Sequence, residues 1–418
     1  MAGKAGKENK GTNRIKTIFL YLVVGVLILF TDRTLRYSFL FTFSYRMQTI
    51  SKYMPILCSW IIFAAFIVFA AIRKFRFSWG AIIPYAIIYA GYLISTIIND
   101  GMMERLIDAF VYSLPPFLLA VIAFSNEKLT KIYLRCAALI FSFMLALNLL
   151  FEYVPQMWTL ISEWREECFL GYHTEISWPL ILGLMYAYTD MKYSGNKWLF
   201  AIYALLFFAN TFAIHPGGAV IGAMIVAVWM ILPFIRTMFS NWSLSVFIVL
   251  VIALFAALMF ALKPLVNLSP VKFFIENILH KDLTLSGRLY VWTGAWKCAM
   301  ESPVLGHGIQ ESSQIFFESS KWNNAMVHAH NLFLQCIYEG GFATLILGLA
   351  MLFYTALKTE KVNLRTLNIK KHNLSSFFKM LIFATLVMFQ SDQDVYYNWF
   401  LLAFMCHVYL ILPEIKNE

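Results

Sequence analysis

Two imidazoles one residue apart, followed at once by an asparagine, open a run that is otherwise apolar: His328-Ala-His330-Asn331, then "LFLQCIYEGG" to Gly341. An imidazole has an ordinary pKa of about 6.5, so it can accept or give up a proton near neutral pH. Some forty positions upstream stands Arg288, in "SGRLYVW". A guanidinium keeps its charge at any working pH and forks onto phosphate oxygens. Plainer readings stand beside these. An arginine near a membrane interface often holds a lipid headgroup or a carboxylate, and a loop histidine is often a surface residue. Asn331 has the side chain of a helix N-cap. His-x-His supplies two ligands where zinc wants three or four converging ones, and the six cysteines contain no Cys-x-x-Cys pair, so no metal site is expected.

The elements that must position these groups are read from composition. The chain has 418 residues, of which 60% are hydrophobic and 13% charged, and its mean hydropathy is +0.68. Soluble proteins carry about 25% charged residues. The expected fold is therefore an all-α polytopic membrane protein, with about twelve transmembrane helices judged by apolar length. They fall at 17–31, 55–72, 81–98, 106–124, 132–151, 176–190, 198–213, 218–235, 244–262, 331–355, 380–393 and 399–412. The basic start "MAGKAGKENKGTNRIK" reads as a cytoplasmic tail before a retained helix, because no small-residue cleavage site follows it. The net charge of +10 lies mostly in loops between apolar segments, including "RKFRF" and "KVNLRTLNIKKHN". There it sets topology by the positive-inside rule, with both termini cytoplasmic, and gives no reason to expect nucleic acid.

One connection is long. Three parts follow: 1–262 with the first nine spans, 263–330 as an outer loop, and 331–418 with the last three spans. The long loop is too aromatic to be disordered, and long loops inside compact proteins are often functional. In "RLYVWTGAWKCAM", Leu289, Trp292, Ala295, Trp296 and Ala299 recur at helical spacing, which predicts an amphipathic helix on or near the membrane surface. Pro303 stops it, and Gly306-His307-Gly308 can form a tight turn. Cys168 and Cys298 both fall outside and could form a disulfide; unpaired small apolar residues is the plainer reading of all six cysteines.

Together, "GR-x-x-x-W … P-x-x-G-x-G … H-x-H-N-x-x-L … E-x-G" across residues 284–345 resembles the signature region of the O-antigen ligase and polysaccharide polymerase family. These are multi-span bacterial glycosyltransferases acting on polyprenyl-diphosphate-linked glycans. The ligase pattern of His, Asn, nine residues and Gly is met by His330, Asn331 and Gly341, while Thr344 stands where a second Gly is usual. The resemblance implies that His330 is the base for an acceptor hydroxyl and Arg288 the clamp on a departing diphosphate. It implies inversion at the anomeric carbon, with no cofactor and no metal. Asn331 would orient His330 or cap its helix, and His328 would lie beside it. Family members usually carry a second arginine where this chain reads "NTFAIHPGGAVIGA"; His215 is the only basic group there, and Arg165 in "SEWREECFLGYH" is another donor. Asp392 and Asp394, in "MFQSDQDVYYNW", would orient a histidine or bind acceptor hydroxyls, or simply occupy a short outer loop.

The implied donor is an undecaprenyl-diphosphate-linked oligo- or polysaccharide. The implied acceptor is another glycan, for a polymerase, or lipid A-core, for an O-antigen ligase. Membrane lipids and a separate chain-length regulator are the other partners considered, and the expected place is the bacterial cytoplasmic (inner) membrane with the active loop outside. A flippase or transporter of lipid-linked glycan is the alternative of a different class. Transporters tend to show internal repeats and broken midplane helices. No repeat is visible here, and the chemistry-bearing groups sit in a loop.

Overall fold

A backbone in hydrocarbon must satisfy its own hydrogen bonds, so the long apolar runs become helices. The computed structural model describes residues 2–32, 34–35, 45–72, 79–158, 167–172, 175–278, 282–285, 287–310, 328–365, 369–391 and 395–415. Arg165, Asp392 and Asp394 lie outside the described residues, as does 311–327 of the long loop.

The principal helices are α1 (Ala2–Thr31), α2 (Tyr45–Ile72), α3 (Trp79–Ile98), α4 (Met103–Ala123), α5 (Glu127–Tyr153), α6 (Ser177–Ser194), α7 (Lys197–Ile214), α8 (Gly217–Ile231), α9 (Pro233–Asn241), α10 (Leu244–Ala256), α11 (Arg288–Ala299), α12 (Leu332–Arg365), α13 (Ile369–Met388) and α14 (Val395–Ile415). A two-residue antiparallel pair, Glu167–Cys168 with Gly171–Tyr172, is the sheet among the described residues. The protein is thus an all-α, multi-pass membrane protein. Among the described residues, seven helices are long and apolar enough to cross a membrane. The pair α8 and α9, bent by 101°, makes an eighth if it is one span, and α3, α13 and α14 hold shorter apolar stretches. The expected spans fall on these helices, except that 218–235 runs across the bend between α8 and α9, and 244–262 and 380–393 extend past the ends of α10 and α13; by length and composition seven or eight rather than twelve would cross a membrane among the described residues. The sixth, α6, is buried along all of Ser177–Asp190, so protein covers it on every side.

The chain folds as two compact units, residues 1–76 with 114–213, and residues 77–113 with 214–418. In the first, α5 packs on α6 and on α1. Arg135 Nε donates to Asp190 Oδ2 at 2.8 Å across the α5–α6 seam. Asn148 bridges by side chain: its Nδ2 donates to Asn210 Oδ1 at 2.9 Å, and its Oδ1 accepts from the Leu170 amide at 3.1 Å.

In the second unit α12 is central, with α3, α14, α11 and α10 packed on it. Every residue of α12 from Leu332 to Gly341 is buried, so this first stretch of the helix is sheathed in protein. The long loop begins with short helical turns at 262–265 and 269–273, and then delivers α11. The buried face of α11 is Val291, Trp292, Gly294, Ala295, Cys298 and Ala299. Trp292, Ala295 and Ala299 of the expected stripe lie on this face, while Leu289 and Trp296 are only half-buried, and α11 packs on α12. The small side chains of Gly294, Cys298 and Ala299 permit that approach. All six cysteines are buried free thiols, so the disulfide considered for Cys168 and Cys298 is absent.

Candidate functional site

The site is built on a break in α12. At Gly341 the backbone has φ 66° and ψ −178°, a conformation open essentially to glycine alone. Two intrahelical bonds that a continuous helix would make, Phe342 N–H to Tyr338 and Ala343 N–H to Glu339, are opened there, and loop segment 303–308 fills both halves of the gap. Phe342 N donates to Pro303 O at 2.8 Å and Ala343 N to Val304 O at 3.1 Å. His307 N donates to Tyr338 O at 2.9 Å and Gly308 N to Glu339 O at 2.8 Å. Each backbone group freed by the break thus regains a partner, as burial demands.

The glycines of "P-x-x-G-x-G" and "E-x-G" make this insertion possible. A Cβ on Gly306, at φ +68°, would stand 2.6 Å from Glu339 O, and one on Gly341 would overlap the Val304 carbonyl. The end of α3 closes the far side. Ser95 Oγ donates toward Leu305 O at 2.5 Å and Glu339 O at 2.6 Å, and Ile309 N donates to Thr96 Oγ1 at 3.3 Å. Met102 N donates to Ile309 O at 2.6 Å. Ser95 and Thr96 were not singled out from sequence; two hydroxyls at the end of an apolar helix give no pattern to find. The unexpected Thr344 is buried and occupies the space left by Gly340 and by Gly91 of α3.

His307, placed by its sequence in a tight turn between two glycines, ties this junction to α11. Its Nε2 lies 2.9 Å from Cys298 O, so that nitrogen must carry the proton, and its ring stands 5.1 Å from the Tyr338 ring. At the other end of α11, Asp282 Oδ1 accepts from the Thr284 amide at 3.0 Å and from Thr284 Oγ1 at 2.7 Å. Thr284 Oγ1 accepts in turn from Gly287 N at 2.9 Å. Gly287, at φ 81°, then launches the helix at Arg288.

His330 sits immediately before α12 with φ 47°, a left-handed conformation uncommon outside glycine. Its neighbours hold it on both sides. Asn331 Oδ1 caps α12, accepting from Phe333 N at 3.1 Å and Leu334 N at 3.0 Å. Its Nδ2 donates to Gln390 O at 3.2 Å and Gln390 Oε1 at 3.1 Å. The Ala329 amide donates to Gln335 Oε1 at 2.7 Å. His330 Nδ1 is buried and has no hydrogen-bond partner among the described residues. Burial, then the positive charge of Arg288, then His328, lower the His330 imidazole to about 3. The His328 and His330 rings meet edge to face at 6.2 Å.

The structure therefore brings Arg288, His328 and His330 into one electrostatic neighbourhood, with Asn331 in a capping position. His215 is exposed at φ 52°, just before α8, whose N-cap Pro216 offers no side-chain cap. Among the described residues no three His, Cys, Asp or Glu side chains gather as a metal site would need. A half-buried neutral imidazole within the field of a guanidinium can accept a proton from a hydroxyl while the guanidinium faces an anion.

Residues 200–349 match the family model described as O-antigen ligase, a stretch that holds His215, Arg288, His328, His330, Asn331 and the whole α12 break. The exopolysaccharide production protein ExoQ of Rhizobium meliloti (strain 1021) is 36% identical over 84 residues, covering 18% of this chain and 19% of that protein. The chain thus matches about a fifth of that relative's length.

Proposed function

We propose that this membrane protein, whose residues 200–349 match the family model described as O-antigen ligase, transfers a glycan from a polyprenyl diphosphate to an acceptor sugar hydroxyl, with inversion. His330 takes the hydroxyl proton, and the acceptor oxygen attacks the anomeric carbon from the face opposite the diphosphate. The new C–O bond forms as the bond from anomeric carbon to diphosphate oxygen breaks, and that electron pair leaves on the diphosphate. Arg288 holds the charge. Removing one such preorganised donor typically costs about 3–4 kcal/mol of transition-state stabilisation. The observation that carries this reading is the pairing of a half-buried His330 imidazole, its Nδ1 enclosed and unbonded among the described residues, with the charge of Arg288.

The neutral imidazole is always present at working pH but is a weak base. A bound diphosphate would offset the Arg288 charge and raise its basicity where and when the donor sits. His215 and, beyond the described residues, Arg165, Asp392 and Asp394 are the further groups proposed to contact donor or acceptor.

Polymer synthesis is the preferred form, supported by similarity to an exopolysaccharide production protein. Transfer to lipid A-core is the second, supported by the description of the matched family. Purified protein given undecaprenyl-diphosphate-linked oligosaccharide alone should extend chains if it is a polymerase. If product appears only when lipid A-core is added, it is a ligase. Absence of both in an assay competent with a known enzyme refutes glycan transfer, and a fully active His330→Ala protein refutes the base.

A further inference from the structure

The αL conformation of His330 is costly for a residue with a side chain, of the order of 1–2 kcal/mol, and persists only where the surroundings over-determine it. One flank is held by the Asn331 cap. The other flank is held from within α12. Gln335 and Glu339 are one helical turn apart on the buried first stretch of that helix, 1% and 4% exposed. Gln335 Oε1 accepts from the Ala329 amide at 2.7 Å, and Gln335 Nε2 donates to Glu339 Oε1 at 2.8 Å.

The amide orientation follows from chemistry rather than assignment. A backbone N–H can only donate, so the oxygen of Gln335 must face Ala329, which turns its NH2 toward the carboxyl. Glu339 is anchored in its turn, because its own carbonyl accepts from Gly308 N and Ser95 Oγ at the α12 break. A continuous line of hydrogen bonds therefore runs from the loop segment through Glu339 and Gln335 to the peptide that precedes His330.

We propose that Gln335 and Glu339 are positioning residues for His330: they fix the backbone of the His-x-His segment, and Glu339 itself exchanges no proton with substrate. The inference rests on the reading of His330 as the base. Nine positions from His330, Glu339 looks too deep for contact, and its effect passes through Gln335. The geometry also predicts which substitutions are tolerated. Glu339→Gln keeps an oxygen to accept from Gln335 and should retain most activity. Glu339→Met and Gln335→Leu remove the line and should lower kcat by on the order of 100-fold, as a 1 Å misplacement of a reacting group does, with KM for the lipid-linked donor little changed.

The test compares full-length protein in nanodiscs carrying Glu339→Gln, Glu339→Met, Gln335→Leu or His330→Ala. Chain extension of undecaprenyl-diphosphate-linked oligosaccharide gives kcat and KM. Carbon-13 spectra of labelled histidine, with the His330 signal identified by its loss in His330→Ala, report ring environment without any turnover. The expected result is a displaced or broadened His330 signal and low kcat in Glu339→Met and Gln335→Leu, with both restored in Glu339→Gln. Glu339→Gln as inactive as Glu339→Met, with the His330 signal in place, would overturn positioning in favour of a direct proton role. An inactive His330→Ala beside fully active Glu339→Met and Gln335→Leu overturns the positioning inference alone. A fully active His330→Ala overturns the base assignment beneath it, and the spectra still report whether the line orders His330.

Discussion

Gly341→Ala should break the junction on which the site is built, and its cost can be worked from the coordinates. Alanine at φ 66° and ψ −178° enters a region essentially reserved for glycine, for about 1–3 kcal/mol. The added Cβ also overlaps the Val304 carbonyl, which is backbone and cannot swing aside. Relief requires segment 303–308 to withdraw, giving up the hydrogen bonds from Phe342, Ala343, His307 and Gly308. At about 1 kcal/mol net each, these four add about 4 kcal/mol. The sum, about 5–7 kcal/mol, is comparable to the whole stability of many domains, about 5–15 kcal/mol. Gly195→Ala is the matched control: it also has positive φ, +76°, but a Cβ there meets nothing within 4 Å. It should cost only the left-handed penalty of about 1–2 kcal/mol. Hydrogen exchange read by mass spectrometry on peptides covering 303–310 and 338–345 would show the difference. Gly341→Ala should lose protection in both peptides together, and Gly195→Ala in neither. Wild-type protection of both peptides in a folded Gly341→Ala protein would refute the insertion.

Two further predictions concern the chemistry. Because His330 is lowered to about 3 by burial and by Arg288, its protonated, inactive form builds up only in strong acid. The His330 acid limb of kcat/KM, which reports the free enzyme, should therefore lie near pH 3, and that of kcat, which reports the donor complex, at higher pH. Arg288→Gln removes a positive neighbour and should shift the kcat/KM limb upward; a limb near pH 6.5 in the wild type would contradict the burial argument. Arg288→Lys keeps the charge but loses the fork, and kcat/KM should fall about 10- to 100-fold, whereas wild-type kinetics would mean that Arg288 merely meets lipid.

The helices were legible because hydrophobic length is a property of side chains, and so was the start of α12, where Asn331 both looks like a cap and acts as one. The conjunction of Arg288 with His330 was legible only through motif resemblance, since nothing in spacing brings positions 42 residues apart together. What stayed hidden was backbone chemistry. The exchange of bonds at Gly341 uses peptide groups that every residue carries, so its trace in sequence is a set of glycines, of which Gly306 and Gly308 read simply as parts of a tight turn. The stripe of α11 was legible in part: Trp292, Ala295 and Ala299 are buried as their spacing suggests, and Val291, Gly294 and Cys298 are buried with them. The link between Glu339 and the His330 segment was equally hidden, because it runs through Gln335, a residue type common enough to pass unnoticed.

The broken helix also bears on how two groups far apart in the chain keep a fixed relation at a membrane surface. Arg288 begins α11, the C-terminal carbonyl of Cys298 is held by His307, and the backbone on both sides of His307 is bonded into α12. From α12 the line through Glu339 and Gln335 reaches Ala329, next to His330. Arg288 and His330, the proposed clamp and base, are thus referenced to the same turn of one helix, largely through peptide bonds and short buried side chains rather than long exposed ones. Such an arrangement gives little freedom to the reacting groups, where angstrom errors are expensive.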